Sequence, residues 1–255
     1  MNRSRPISLV PLLAFSAVAV LGPGSARPAA AQSHTLALLS LLAPPTSATV
    51  TNLGTLGGTY SVPNGINASG QVIGTSLTSS DAALHAFLWA SGTMQDLGTL
   101  GGRNSYANAI NSAGQVAGSS DLSTTASHGF LWASGKMQDL TTLGGSISIA
   151  WGINAAGQVV GDSTTSGDTA DHAFLWANGQ MQDLGTLGGT NSAAYGISDS
   201  GQVFGTSDVT GDAAQHAFVW ANSKMKDLGT LAGTSSYANT SNAAGQVAGA
   251  ATVAN

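Results

Sequence analysis

The chain has 255 residues, with 34 glycines, seven basic and twelve acidic residues, no cysteine and a net charge of −5. Every acid is an aspartate, and a chain so poor in Glu, Lys and Arg lacks the residues that fill helix surfaces, which excludes a mainly helical fold. Without cysteine there is neither a disulfide nor a thiolate metal site, and abundant Gly, Ser, Thr, Asn and Asp beside short apolar runs describe many short strands joined by turns.

In chain order, Arg3 and Arg5 precede an apolar run over residues 7–21, and the stretch closes on Pro28-Ala-Ala-Ala31. A basic start, an apolar middle and an Ala-x-Ala end mark residues 1–31 as a secretory signal peptide cleaved after Ala31, so that the mature chain begins at Gln32. The run is short for a bilayer and ends in Gly22-Pro23-Gly24, which argues against a membrane anchor. Cleavage removes Arg3, Arg5 and Arg27 and leaves four basic residues against twelve aspartates, a net charge of −8. Such a chain is expected to avoid nucleic acid and anionic lipid, to insert in no membrane and to reside in the periplasm or outside the cell, as a monomer. Residues 32–47 read as a lead-in linker whose apolar stretch, 36–42, is too short to span a membrane.

From residue 48 to 255 one phrase returns four times in full and a fifth time in part. It reads Leu97-Gly-Thr-Leu-Gly-Gly102, Ala109-Ile-Asn-Ser-Ala-Gly-Gln-Val-Ala-Gly118, His128-Gly-Phe-Leu-Trp132 and Met137-Gln-Asp-Leu140. Its opening leucine falls at Leu53, Leu97, Leu140, Leu184 and Leu228, at spacings of 44, 43, 44 and 44 residues, the mark of repeated structural modules. Each module holds four candidate strands. The first ends at the Asn111-Ser-Ala-Gly114 turn, the second starts at Gln115, the third is His128-Gly-Phe-Leu-Trp132, and the fourth follows a two-residue turn. That turn is Asn178-Gly179 in the third module, a strong hairpin signal, whereas Asn222-Ser223 lacks the glycine.

Four short strands and their connections account for about 44 residues with no room for a helix, the size of a propeller blade. The expected fold is therefore all-β, a β-propeller-like array of five blades with the last shared between the termini; the alternative is a β-solenoid. Sharing follows from phasing: Val50-Thr-Asn-Leu53 aligns with the fourth strand, while the chain after Tyr237 supplies only first and second strands.

His85-Ala-Phe-Leu-Trp89, His172-Ala-Phe-Leu-Trp176 and His216-Ala-Phe-Val-Trp220, together with the recurring Leu-Gly-Thr-Leu-Gly-Gly, resemble the bacterial extracellular HAF repeat family. The resemblance spans about residues 48–249 and implies a secreted or surface repeat protein, with no reaction or ligand attached. Gly129 departs from the family alanine, and the fifth module has no His-Ala-Phe strand.

His85, His128, His172 and His216 are the obvious metal candidates, but one histidine per module does not converge on an ion, and a bond to a neighbouring turn is the plainer role. Asp96, Asp139, Asp183 and Asp227 recur before the Gly-Thr-Leu stretch, which suits capping of the amides that follow. Residues repeated equally in every module make no single asymmetric catalytic cluster, so neither an enzyme nor a cofactor nor a metal is expected. The repeated Gly-Gly pairs precede no helix, which excludes a phosphate loop. Asp168 with Asp171, or Asp208 with Asp212, offer loose oxygen ligands for calcium, against the plainer reading of solvated loop acids.

One position varies instructively. Two residues before the isoleucine of the first strand stand Asn64, Asn108, Trp151, Tyr195 and Asn239. Trp151 and Tyr195 in adjacent modules are the candidate ligand-binding pair, able to stack on a sugar or peptide. The competing reading places Ile149, Trp151 and Ile153 on one strand face, packed between blades. The function expected is a non-catalytic binding module for a carbohydrate, peptide or surface partner; the alternative is a structural or adhesive repeat with no small ligand.

Overall fold

The computed structural model describes residues 50–242 and 245–254. The signal peptide, its cleavage site and the 32–47 lead-in lie outside the described residues. Eighteen strands follow, all of them within the Thr51–Asn255 unit. The first module has β1 (Gly57–Ile66), β2 (Val72–Thr78), β3 (Leu84–Ala90) and β4 (Thr93–Asp96). The second has β5 (Ser105–Ile110), β6 (Val116–Asp121), β7 (Ser127–Ala133) and β8 (Lys136–Asp139). The third has β9 (Gly144–Ile153), β10 (Val159–Thr165), β11 (Asp171–Ala177) and β12 (Gln180–Asp183). The fourth has β13 (Gly188–Ile197), β14 (Val203–Val209), β15 (Gln215–Ala221) and β16 (Lys224–Asp227), and the fifth only β17 (Ala232–Ser241) and β18 (Val247–Val253).

Within each of the four complete modules the strands pair antiparallel in chain order, the four-stranded meander of a propeller blade. The second and third modules are further joined by one parallel bridge, Ser127 to Ile147. The fold is all-β, and the described residues build antiparallel meanders rather than solenoid coils. Residues 51–55 carry no strand, and among the described residues β17–β18 is a two-stranded sheet, so the blade expected to be shared between the termini is not formed there. A fourth strand pairs only with a third strand in every complete module, and among the described residues no third strand stands beside residues 51–55.

Turn chemistry explains the module outline. Ser91-Gly92, Ser134-Gly135 and Asn178-Gly179 have both residues at positive φ, the turn that matches strand twist. Asn222-Ser223 adopts the same turn, with Ser223 at φ 59°, so the tertiary frame imposes on serine the conformation glycine would take freely. The Asn-x-x-Gly-Gln segment is a second device: Asn111 Oδ1 accepts the amides of Ala113 and Gln115 while its Nδ2 donates to the Asn154 carbonyl one module on. The same asparagine clasps run from Asn67 to Asn111 and from Asn154 to Ser198.

The core lies between successive sheets. Phe87, Phe130, Phe174 and Phe218, the phenylalanines of the third strands, are fully buried, each stabilising by about 1.5–3 kcal/mol on burial. One cluster joins Leu88 and Leu97 of the first module to Phe130 and Trp132 of the second, and the next joins Leu131 and Leu140 to Phe174 and Trp176. In the first three modules the third strand and the leucine after the fourth are thus roofed by the Phe and Trp of the next module. A serine on each first strand ties the modules again: Ser105, Ser148, Ser192 and Ser236 accept the amide of the preceding module's third strand through their hydroxyls.

Candidate functional site

The variable first-strand position is structurally special. In β9, Ala150 faces Gly161 and Gly152 faces Val160, so Trp151 is the extra residue of a β-bulge. Asn64, Asn108, Tyr195 and Asn239 occupy the same bulge in their own modules. A bulge bends the strand and re-aims one side chain. The glycine across from it is obligatory: a Cβ on Gly161 would collide with the Ile149 carbonyl oxygen and the Phe174 ring, and one on Gly74, Gly118, Gly205 or Gly249 would meet the carbonyl of Val62, Tyr106, Ala193 or Tyr237 in the same way.

The bulge also sets how exposed Trp151 is. It breaks the alternation, so Ile153 packs into the core while Trp151 stands 38% exposed and Tyr195 42% exposed. Trp151 therefore does not share one buried face with Ile149 and Ile153, as the competing expectation had it.

In the first two modules the bulged asparagine is a clasp. Asn64 Nδ2 donates to the Ala107 carbonyl and Asn108 Nδ2 to the Ala150 carbonyl, each at 2.9 Å. In the third and fourth modules the aromatic reaches back to its own second strand instead. The Trp151 indole N–H donates to Asp162, and the Thr206 hydroxyl donates to the Tyr195 phenol oxygen at 3.2 Å. The two rings border one groove of about 270 Å³, lined also by Asp162, Asp171, Asn191 and Gln215.

Asp162 was not singled out by sequence pattern, although a signal existed. It occupies the second-strand position held by Thr75, Ser119, Thr206 and Ala250 in the other modules. It is half-buried, and burial, the largest influence, pushes its carboxyl up to about 6; the Trp151 hydrogen bond opposes this rise and the Asp171 charge adds to it. Asn191 is held in place by Asp208, which accepts its amide and side-chain N–H, and Gln215 Nε2 donates to the other Asp208 oxygen at 3.0 Å.

The remaining candidates are spent on structure. His85, His128, His172 and His216 each donate Nδ1–H to the aspartate eleven residues on, at 2.8–2.9 Å. Those aspartates also accept the amides of Gly98, Thr141, Gly185 and Gly229, which is the capping expected of them. For Asp227, burial raises the pKa but hydrogen bonds from His216 and Gly229 outweigh it, and the net shift is downward. Asp168 binds the Ser146 amide and hydroxyl, and Asp212 binds Thr190 in the same way, which lowers both pKa values. Among the described residues no cluster of three or more His, Asp, Glu or Cys is placed to hold a metal ion. No helix among the described residues is long and apolar enough to cross a membrane.

No protein-family model matches the chain, and no curated protein matches it. Among matching solved structures, an acylaminoacyl peptidase from Pyrococcus horikoshii aligns at 12% identity and a TM-score of 0.41, covering 68% of this chain and 27% of the peptidase. The chain therefore spans well under a third of that protein. A fucose lectin from Kordia zhangzhouensis in complex with methyl-fucoside aligns at 16% identity and a TM-score of 0.24, covering 64% of this chain and 93% of the lectin. Likeness this distant fixes neither an activity nor a ligand.

Proposed function

We propose that this is an exported, non-catalytic repeat protein of the HAF type that binds a carbohydrate in the groove between its third and fourth modules. One observation carries the reading: at the two adjacent modules where the bulged residue is aromatic, the asparagine clasp is given up and two half-exposed rings line a groove with carboxylate and amide groups. Sugars present an apolar C–H face and a rim of hydroxyls, and rings beside Asp, Asn and Gln match both features. The groove is near the lower end of small-ligand sites, which suits one or two sugar units of a longer glycan. The histidines and their aspartates recur as structural pairs, which supports binding without catalysis. Export rests on the signal peptide pattern at residues 1–31, and sequencing of secreted material should find Gln32 at the amino terminus.

The test is a glycan array followed by calorimetry on hits. Trp151→Ala should weaken binding at least about tenfold, the scale of one lost stacking contact, with Tm nearly unchanged. Unaltered affinity in both Trp151→Ala and Tyr195→Ala would place the ligand elsewhere. Retention at the cell surface with no glycan signal would favour the structural or adhesive reading.

A further inference from the structure

The groove between the third and fourth modules is bordered by departures from the repeat, and three of them fall in one module. The residue that opens the third strand is Leu84, Ser127, Asp171 or Gln215, and the second-strand position of Asp162 holds Thr75, Ser119 and Thr206 in the other complete modules. Only the third module puts an acid at both positions, and its bulge is the one that carries Trp151. Trp151 lies on β9, Asp162 on β10 and Asp171 on β11, and strand pairing brings all three to the groove.

The two acids differ from the rest in what they leave unspent. Every other aspartate accepts hydrogen bonds from the protein, usually from a backbone amide. The Asp171 carboxylate is exposed and accepts none among the described residues. Asp162 gives one oxygen to the Trp151 indole and has no protein donor for the other. No unpaired side-chain oxygen among the described residues is sealed from solvent, so that second oxygen is open. Gln215 spends Nε2 on Asp208 and leaves its Oε1 without a donor. No lysine, arginine or histidine lines the groove. Burial, the larger influence, and the Asp171 charge both push the Asp162 carboxyl up, as expected where no cation stands beside it.

We propose, resting on the carbohydrate reading of this groove, that it selects a sugar carrying a free primary ammonium, held by Asp171 and the open oxygen of Asp162. An ammonium brings donors to oxygens that lack them, and bonds between ions are stronger than neutral ones. The rings of Trp151 and Tyr195 further favour a cation placed over them. N-acetylation removes the charge and forfeits both attractions. A sugar acid fares worse, since its carboxylate meets Asp162 and Asp171 with no base to pair with, and repulsion excludes it.

The test is calorimetry on the full mature protein just below neutral pH, where the sugar amine carries its proton. It compares the glucosamine disaccharide with its N-acetylated form and with digalacturonate. The glucosamine disaccharide should bind at least about tenfold tighter than the N-acetylated form, the scale of one charge-assisted bond, and digalacturonate should not bind. Asp171→Asn, whose side chain has no protein hydrogen bond to lose, should cut that preference to below about threefold, and added salt should narrow it. Equal binding of the charged and N-acetylated sugars, weakened alike by Trp151→Ala, would overturn the ammonium proposal and leave the carbohydrate reading standing. A preference unchanged in both Asp171→Asn and Asp162→Asn would overturn it too, as would no binding of any of the three sugars. A lysine dipeptide bound as tightly as the glucosamine disaccharide would overturn both the proposal and the carbohydrate reading.

Discussion

The first two modules and the next two share one backbone and use its bulge oppositely. Asn64 and Asn108 turn the bulged side chain into a strut between neighbouring first strands, whereas Trp151 and Tyr195 turn it toward solvent and their own second strands. The bulge is thus a fixed presentation device with an exchangeable head. The third and fourth modules keep other ties: the Asp171 amide donates to Asn191 Oδ1, and the Ala155 amide donates to Asp199 Oδ1.

The largest effect should come from the glycine that permits the bulge in both halves. Gly161→Ala and Gly118→Ala each force a Cβ into a backbone carbonyl, and either should cost roughly 3 kcal/mol or more in thermal or urea unfolding. Tolerance of alanine at both would mean that the bulge is not held by close approach. Next is the pH behaviour peculiar to the third module. The pKa of Asp162 is raised in the folded state, so its contribution is fully present below the unfolded carboxyl value and is lost as pH rises through about 6. Between pH 4 and 7 this amounts to at most about 3 kcal/mol. The stability difference between Asp162→Asn and the unmutated protein should therefore grow in the mutant's favour over that window. A flat difference would remove the burial argument. The downward shifts of Asp168, Asp212 and Asp227 work in the opposite sense, which is why the mutant difference is the proper observable.

The smallest effect sets strut against presented ring. Asn108→Ala breaks an inter-module hydrogen bond and should cost about 1 kcal/mol without touching ligand affinity. Trp151→Ala should do the reverse, since its ring is half-exposed. If both behave alike in unfolding and binding assays, the two halves of the molecule are not functionally distinct.

Sequence by itself determined the modular period, the strands and most turns, because these depend on local chemistry: glycine at positive φ, Asn beside Gly, and apolar side chains recurring every 43 or 44 residues. It also brought Trp151 and Tyr195 forward as a pair, since a departure from a repeated asparagine is visible in a line of text. Only the tertiary structure decided that Trp151 is exposed, because simple alternation cannot see a bulge whose cause is the glycine on the neighbouring strand. It alone joined Asp162 to the indole, two residues eleven apart in sequence and on adjacent strands. It likewise turned His172 from a candidate ligand into the partner of Asp183, since the register of β11 against β12 sets that contact. The shared terminal blade was legible as phasing alone. Whether its strands meet depends on long-range pairing, which local propensity does not encode.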